Sequence, residues 1–459
     1  MDITSEFLNK HNISGPRYTS YPPANFFHTR FTSSDYREQL KESNNQNPRN
    51  ISVYIHIPFC PQRCHFCGCN TESGQKRTVL ERYIHAVKQE IKNVSSCLDV
   101  NKRKVTQIHW GGGTPNAISM NFIEDIMNLI REIFIIDRNA EIAIECSPAY
   151  LDYDHIDSLA KMGFNRVSLG IQDFREDVLD IVNRKGPKLP VKEVVDYLRK
   201  KGFSGINLDF IYGLPLQTVE SFSKTIKKAI EINPDRIVTF SYAHVPWVKK
   251  EQLKLEKAGL PTATEKMNML INNIRQLRDA GFEAIGIDHF AQPGDKLARA
   301  YKDKNLHRNF QGYCTLETTG QVYAFGASSI SQLWGAYAQN FKNIGQYMDA
   351  IEKTGYATER GFTLDVEHQI VRSVINSIMC NGIMMFDEIA VQFNLTVDEI
   401  KNIIHFNTDK LADFVEDKLI SITEKGITIS DAGRMIARNI AMAFDPDLKQ
   451  GDTLYSKTV

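Results

Sequence analysis

Two hydrophobic patterns alternate along the chain between residues 51 and 331. Short apolar runs rich in β-branched residues are typical of buried strands. Between them lie segments in which apolar residues recur every three or four positions, as on one face of a helix. The pattern predicts strands at residues 52–57, 107–110, 141–145, 166–170, 206–212, 236–241 and 284–289, and helices that include residues 80–91, 123–134 and 267–277. This alternation predicts parallel βαβ units, arranged as a partial or full barrel or as a doubly wound sheet.

The pattern changes on both sides of this region. Residues 1–50 are polar and irregular, but Tyr18 and Tyr21 make them too aromatic for a disordered tail. They predict a packed N-terminal arm, or an arm that closes over an active site. Beyond Gly361 the spacing predicts helices, a β-hairpin at residues 419–429 and a helix from Ser430. We therefore expect three domains: an N-terminal arm (1–50), a barrel with its extension (51–335) and a mostly helical, winged-helix-like domain (336–459).

Composition narrows the choice of partners and compartment. Among 459 residues, 55 Lys and Arg balance 55 Asp and Glu, which argues against general nucleic-acid binding. The sequence has no apolar run of membrane-spanning length and no signal-peptide pattern at its start. Four of its eight cysteines lie in one short loop, which fits a metal role in a reducing compartment better than a disulfide framework. We expect a cytoplasmic protein without a membrane partner.

The four clustered cysteines follow the first predicted strand, in the segment Y-I-H-I-P-F-C-P-Q-R-C-H-F-C-G-C-N. Cys60, Cys64 and Cys67 are spaced C-x3-C-x2-C, and Cys69 comes two residues later. Loops at the carboxyl ends of barrel strands are where this architecture places its chemistry. Cysteine thiolates hold iron–sulfur clusters, and three of them would leave one iron of a four-iron cluster open to a small molecule. There are two alternatives. One is a structural zinc site with Cys69 as its fourth ligand, and the other is a disulfide.

The three-cysteine motif resembles the signature of radical S-adenosylmethionine (SAM) enzymes. The longer string H-I-P-F-C…C-x-F-C-G-C-N and the segment R-Y-T-S-Y-P, residues 17–22, resemble the oxygen-independent coproporphyrinogen III oxidases. This resemblance covers nearly the whole chain. It implies a partial (β/α)6 barrel, a [4Fe-4S] cluster and two SAM molecules. The implied reaction converts two propionates of coproporphyrinogen III to vinyl groups, giving protoporphyrinogen IX for haem. It also implies a monomer. The reaction further needs a low-potential electron donor and an electron acceptor, and the sequence identifies neither the donor nor the acceptor.

Candidate site residues follow from the motifs and from the resemblance. The run W-G-G-G-T-P after the second strand lets backbone approach a ligand closely, although it could also form only a tight turn. A carboxylate that ends a barrel strand, as Glu145 does, more often binds something than packs. The resemblance implies that the cluster is held by Cys60, Cys64 and Cys67. It implies that the SAM bound to the cluster contacts Tyr54, Gly112, Glu145 and Ile330. For the second SAM, the implied contacts are Phe66, Gly113, Thr114, Gln172, Arg184, Asp209 and Ala243.

Three further residue predictions remain. The resemblance implies that Cys69 lies near the second SAM and takes part in the reaction instead of binding the cluster, whereas a buried free cysteine would be structural. His56 is expected to be packed and hydrogen-bonded, because side chains alternate faces along a strand. Arg17 and Arg308 are candidates for binding the substrate carboxylates, which arginine pairs with well. Two other functions stay open: a haem-acting radical methyltransferase or ring-opening enzyme, and a haem-trafficking chaperone of the same superfamily.

Overall fold

A computed structural model describes residue 7 and residues 10–286, 288–310, 312–315 and 321–448. The chain divides into two compact units. The larger unit, which we call the barrel unit, comprises residues 27–280 and 318–363, and the smaller, which we call the helical unit, comprises residues 1–26, 281–317 and 364–459. This division by compactness differs from the predicted domain limits at residues 50 and 335, which stay a prediction.

The barrel unit is built on parallel strands that pair in chain order. Its first strand also pairs in parallel with Gln321–Phe325, so another strand of the same unit covers that side of it. The six predicted strand–helix units are therefore confirmed. The strands, called first to sixth below, are Ile51–Ile57, Lys104–Gly112, Ile135–Cys146, Arg166–Gln172, Gly205–Tyr212 and Arg236–Ser241.

Helices follow these strands, and their apolar stripes are buried. In the helix Arg77–Ser95, the apolar stripe consists of buried residues that include Tyr83, Ile84, Val87 and Ile91, as the spacing predicts. The remaining helices of the six units are Met120–Ile133, Tyr153–Lys161, Glu176–Ile181, Val191–Lys200, Val219–Ile232, Leu253–Lys257 and Ala263–Asp279. The unit is completed by the helices Ser33–Glu42 and Ile344–Thr354, by the antiparallel strands Ile330–Leu333, Ala336–Asn340 and Thr358–Thr363, and by the short strands Phe59–Cys60 and Glu72–Ser73.

The helical unit confirms the predicted C-terminal helices and hairpin. Ile420 pairs with Ile429 in that hairpin, and Ser430 caps the helix that follows by accepting a hydrogen bond from the Gly433 amide. The sequence pattern missed a third strand, Ile383–Met385, which pairs with the hairpin. The helices are Lys296–Lys302, Val366–Asn376, Phe386–Phe393, Val397–Ile403, Ala412–Glu416, Asp431–Arg434 and Ala437–Met442, and the other strands are Ile420–Ile422, Gly426–Ile429, His307–Asn309 and Gly312–Cys314.

One strand prediction in the helical unit is wrong in form. The run at residues 284–289 is not one strand but parts of two, Glu283–Ile285 and His289–Ala291, which pair antiparallel. Gly286 adopts a φ of +64°, a conformation that glycine reaches easily and that ends an extended strand. The hydrophobic pattern does not register such a backbone reversal.

The predicted N-terminal arm is divided between the two units, with residues up to 26 in the helical unit and residues 27–50 in the barrel unit. Tyr18 and Tyr21 are each only 2% exposed and belong to the apolar core formed by the C-terminal helices. Their hydroxyls donate hydrogen bonds to Asp445 at 2.8 Å and Asp447 at 3.1 Å. Residues 18–21 are therefore packed, while an arm of residues 1–50 as a separate domain stays a prediction. Every helix in the described part of the chain falls short of the length and hydrophobicity of a bilayer-spanning segment.

Candidate active site

The loop that carries the clustered cysteines leaves the first strand at its carboxyl end and is anchored to the fourth strand–helix unit. The backbone amide of His65 donates to the carbonyl of Val182 at 2.9 Å. The side chain of Gln62 donates to the side-chain oxygen of Asn183 at 2.6 Å. These contacts fix the loop at the edge of the sheet where parallel strands end, the position expected for a barrel active site.

Two of the predicted cluster ligands accept hydrogen bonds from other predicted site residues. The Thr114 hydroxyl donates to the Cys60 Sγ at 3.3 Å, and the Arg184 Nη1 donates to the Cys64 Sγ at 3.5 Å. Burial raises the pKa of both thiols, while the Thr114 hydrogen bond and the Arg184 charge work in the opposite direction. The thiolate is the form that ligates metals, so these two donors favour ligation.

The third and fourth cysteines interact with each other. The pKa of Cys67 falls to about 6, first because the Cys69 thiol hydrogen-bonds to it and further because Lys249 and Arg63 are nearby cations. Cys69 itself is exposed, whereas Cys67 is partly buried. The structure therefore supports a thiolate at Cys67 and leaves Cys69 accessible beside it.

The glycine run lies directly against the cysteine loop. The Gly113 amide donates to the Ile57 carbonyl at 2.7 Å, and the Thr114 amide donates to the Phe59 carbonyl at 2.9 Å. A β-carbon at position 113 would come within 2.7 Å of the Phe59 oxygen and 3.0 Å of the Cys60 sulfur. Gly112 has a φ of +112°, which side chains rarely tolerate. Close approach of two backbones explains these glycines.

Glu145 joins the second and third strands. Its carboxylate contacts the His109 Nε2 at 2.9 Å and accepts a bond from the Gly112 amide at 3.3 Å. The ring of Tyr54, on the first strand, stacks on the ring of His109, on the second strand, with their centroids 5.9 Å apart. Glu145 is thus linked directly to Gly112 and, through His109, to Tyr54, and the sequence analysis missed this histidine.

His56 is packed and hydrogen-bonded, as predicted. It is 7% exposed, its Nδ1 lies 3.0 Å from the Tyr54 hydroxyl, and its Nε2 lies 3.2 Å from the Asn70 carbonyl. Burial lowers its pKa, so the neutral ring is favoured.

A second group of predicted residues converges at the fourth and fifth strands. Arg184 donates to the Gly170 carbonyl as well as to Cys64. Asp209 accepts hydrogen bonds from Ser168 and, at 2.7 Å, from Asn207. Gln172 has a φ of +70°, and its buried Oε1 has no hydrogen-bond partner among the described residues. A strained residue with an unsatisfied acceptor often marks a ligand contact.

The remaining predicted residues differ in how closely the structure ties them to this group. Phe66 and Ala243 are joined through Gln252, whose side chain donates to both of their carbonyls at 3.2 Å. Ile330 begins the strand Ile330–Leu333, two strands from the first strand in the sheet order.

Comparison with known proteins decides the family. A profile of the radical SAM superfamily matches residues 54–229. The oxygen-independent coproporphyrinogen III oxidase of Synechocystis is 39% identical over 100% of this chain and 98% of its own length. The Escherichia coli protein of the same name is 40% identical over 98% of this chain and 96% of its own length. The chain belongs to the oxygen-independent coproporphyrinogen III oxidases.

The fold agrees with that membership. A solved structure of the Escherichia coli coproporphyrinogen III oxidase, described as a radical SAM enzyme, matches with a TM-score of 0.88 at 38% identity. The match covers 94% of this chain and 98% of that chain. The partial barrel with its helical C-terminal region is the architecture of this family.

Membership in the coproporphyrinogen III oxidases implies a [4Fe-4S] cluster and SAM, and the donor set fits them. Among the described residues, no three cysteine, histidine or acidic side chains surround one point as they would a single metal ion. A closed zinc site needs four ligands around one ion, whereas thiolates of a four-iron cluster each bind a different iron. Three partly buried thiols on one loop, two of them with hydrogen-bond donors, suit the cluster.

Sequence reasoning overlooked several residues of this oxidase that organise the site. The alternation of side chains along a strand could have drawn attention to His109. It lies two residues before Gly111 of the glycine run, so both residues are on the same face of the second strand. Lys249 donates to the Cys69 carbonyl at 3.1 Å. Neither Lys249 nor Gln252 carries a signal in the sequence, since both occur in a charged stretch typical of a surface helix.

Proposed function

We propose that this chain catalyses the oxidative decarboxylation of two propionate side chains of coproporphyrinogen III to vinyl groups, giving protoporphyrinogen IX. Each propionate loses one hydrogen atom from its β-carbon, one electron and carbon dioxide, and a carbon–carbon double bond remains. The electron passes to an acceptor that is a separate partner. The proposal rests on the close packing of the glycine run against the cysteine loop. This packing occurs in a chain that is about 40% identical to oxygen-independent coproporphyrinogen III oxidases.

Residues of the chain bind the cluster and stabilise its ligands. When bound, the cluster and SAM supply a carbon-centred radical able to remove that hydrogen atom. We propose Cys60, Cys64 and Cys67 as cluster ligands. The Thr114 hydroxyl and the Arg184 guanidinium then stabilise ligand sulfurs, since hydrogen bonds to the sulfurs help to set a cluster's potential.

We further propose two SAM subsites. The first, which lies beside the cluster ligands, includes Tyr54, Gly112, Glu145 and Ile330. The second includes Phe66, Gly113, Thr114, Gln172, Arg184, Asp209 and Ala243. The unsatisfied Gln172 Oε1 supports this second subsite, because a buried acceptor without a donor is costly until a ligand supplies one. Asp209 adds a carboxylate, which suits the amino group or ribose hydroxyls of SAM.

Cys69 is proposed to take part in the reaction instead of binding iron. Cys69 is an exposed residue, and its thiol hydrogen-bonds to Cys67. Its backbone carbonyl is fixed by Lys249 at 3.1 Å, so the position of the residue does not depend on ligating the cluster.

The helical unit supplies a separate candidate for binding carboxylates. Arg17 and Arg308 both lower the pKa of Asp288, although His289 contributes more and burial opposes all three. Arg308 lies 5.1 Å from the centre of the Tyr313 ring, and its buried Nε has no partner among the described residues. We propose that Arg17 and Arg308 bind substrate propionates, because guanidinium groups pair bidentately with carboxylates.

The proposal includes a cellular setting. None of the eight cysteines forms a disulfide, which supports a cytoplasmic location because thiols persist in reducing compartments. We propose that the protein works as a monomer, supplied with electrons by a low-potential donor and without a nucleic-acid or membrane partner.

Isotope transfer tests the proposed reaction. The anaerobic holoenzyme would be given reductant, SAM and coproporphyrinogen III deuterated at the propionate β-carbons. Deuterium in the 5′-deoxyadenosine product is the expected result. Undeuterated 5′-deoxyadenosine with unchanged substrate would contradict it, and ring opening or methylation of added haem would favour the haem-acting alternative. Stoichiometric haem binding without decarboxylation would favour the chaperone.

A further inference from the structure

We infer that Gln252 is a positioning residue for the second SAM subsite, tying the cysteine loop to the segment that follows the sixth strand. The inference rests on the proposed two-SAM arrangement. It concerns a residue that none of the motifs contains and whose side-chain hydrogen bonds go to Phe66, Ala243 and Val245, not to the proposed cluster ligands.

The Gln252 side-chain amide connects the two segments. The Gln252 Nε2 donates to the Phe66 carbonyl and to the Ala243 carbonyl, each at 3.2 Å. Its Oε1 accepts a hydrogen bond from the Val245 amide at 2.6 Å. A primary amide has two N–H donors and one carbonyl acceptor, so both donors are used. Phe66 and Ala243 are both predicted contacts of the second SAM, and they lie on loops that are 177 positions apart in the sequence.

The burial of Gln252 makes these bonds significant. The residue is 1% exposed, and a buried hydrogen bond that is lost leaves its partner groups unsatisfied. The neighbouring contacts between the same segments are weaker restraints. Arg63 and Glu251 lie 3.2 Å apart but are 36% and 39% exposed, and exposed ion pairs contribute little.

Only the amide can make this connection. Both carbonyls need donors, and an ionised glutamate at position 252 would offer acceptors alone. Leucine has a similar size but no polar atoms. Phe66 also packs against an apolar cluster that includes Leu255 and Tyr242, and this packing does not involve the Gln252 amide. Substitution of Gln252 should therefore let the cysteine loop shift without unfolding the barrel unit.

The test compares Gln252→Leu and Gln252→Glu with a matched control, Gln321→Leu. Gln321 is also fully buried, but its side chain hydrogen-bonds to Arg103, Tyr323 and Ser43, none of which is a predicted SAM residue. SAM binding to the reconstituted anaerobic holoenzyme would be measured by equilibrium dialysis. Iron content and the electron paramagnetic resonance (EPR) signal of the reduced cluster would be recorded in parallel.

The expected result is two SAM molecules per wild-type and Gln321→Leu chain. Both Gln252 variants should keep the cluster and the first SAM but bind the second at least about tenfold more weakly, the effect of losing buried hydrogen bonds. Unchanged affinity for the second SAM in both Gln252 variants would contradict the inference. Loss of the cluster in both would also overturn it, because Gln252 would then support the whole loop. A single SAM in the wild type would instead refute the two-SAM arrangement.

Discussion

Gly113 packs so closely against Cys60 that a β-carbon at position 113 would come within 3.0 Å of the Cys60 sulfur. The same β-carbon would lie 2.7 Å from the Phe59 carbonyl oxygen and 3.0 Å from the Ile57 carbonyl oxygen. Two of these neighbours are backbone atoms that cannot rotate away. The proposed SAM segment and the proposed cluster loop are therefore built as one packed element.

Gly113→Ala should prevent normal cluster assembly. The added methyl group would push the cysteine loop away from the end of the second strand, and Cys60 would move with it. We expect iron and sulfide contents well below those of the wild type after reconstitution, measured by chemical analysis. Gly186→Ala is the matched control, since its β-carbon would meet only the Leu179 side chain, at 3.8 Å. A full cluster in Gly113→Ala would show that this packing is not needed.

Two cysteine substitutions should separate cluster binding from turnover. Cys64→Ser should lose the cluster, because a serine hydroxyl is a poor substitute for a thiolate ligand. Cys69→Ser should keep the EPR signal of the four-iron cluster and lose substrate turnover. An intact cluster in Cys64→Ser would contradict the ligand assignment, and normal turnover in Cys69→Ser would remove that residue from the reaction.

Arg308→Gln should weaken substrate binding and leave the radical chemistry intact. Losing a charge-assisted hydrogen bond costs about 1.5–3 kcal/mol, which corresponds to about a ten- to hundredfold rise in KM for coproporphyrinogen III. The cluster content and the slow formation of 5′-deoxyadenosine without substrate should not change. Arg82→Gln is the control, since Arg82 makes only exposed ion pairs with Asp349 and Glu352. Equal KM values for the two variants would exclude Arg308 from the substrate site.

Glu90 should make stability depend on pH. Burial raises the pKa of Glu90 from 4.5 to about 7, although Tyr347, the Gly326 amide and Asn340 donate hydrogen bonds to it. Because the folded state holds this proton more tightly, Glu90 favours folding most below pH 4.5, and that contribution is lost as the pH rises to about 7. The loss amounts to about 3 kcal/mol.

The comparison with Glu90→Gln isolates that contribution. Glutamine cannot ionise, so the variant should lose less thermal stability than the wild type between pH 5 and pH 8. Thermal midpoints of the two anaerobic holoenzymes would be measured by scanning calorimetry. Parallel pH profiles would mean that Glu90 does not change its protonation over this range.

The sequence predicted the strands because most of their residues are buried and apolar. It placed the start of the third strand at residue 141, whereas the strand is Ile135–Cys146. Asp137, Arg138 and Asn139 are exposed or only partly buried polar residues that interrupt the apolar run of that strand, so the pattern did not extend the strand back to Ile135. The strand Ile383–Met385 was missed because it pairs with Gly426–Ile429, about forty positions away, and three residues are too few to show a period.

The candidate site was predictable where motifs are local and less so where residues act through contacts. The cysteine spacing and the glycine run are visible in a few consecutive letters. The sequence around Gln252 is typical of an exposed helix. Only the structure shows that its side-chain amide donates to the carbonyls of Phe66 and Ala243. Strand alternation can place His109 on a face of its strand, but its contact with the carboxylate of Glu145, 2.9 Å away on the neighbouring strand, is visible only in the structure.

The most direct test of the central claim is the mass of the porphyrin products. The reconstituted anaerobic holoenzyme would be incubated with SAM, a low-potential reductant, an electron acceptor and coproporphyrinogen III. The account predicts two successive losses, each of carbon dioxide and two hydrogen atoms, ending at protoporphyrinogen IX, with 5′-deoxyadenosine formed in step. Formation of 5′-deoxyadenosine while coproporphyrinogen III stays unchanged would contradict the assigned substrate.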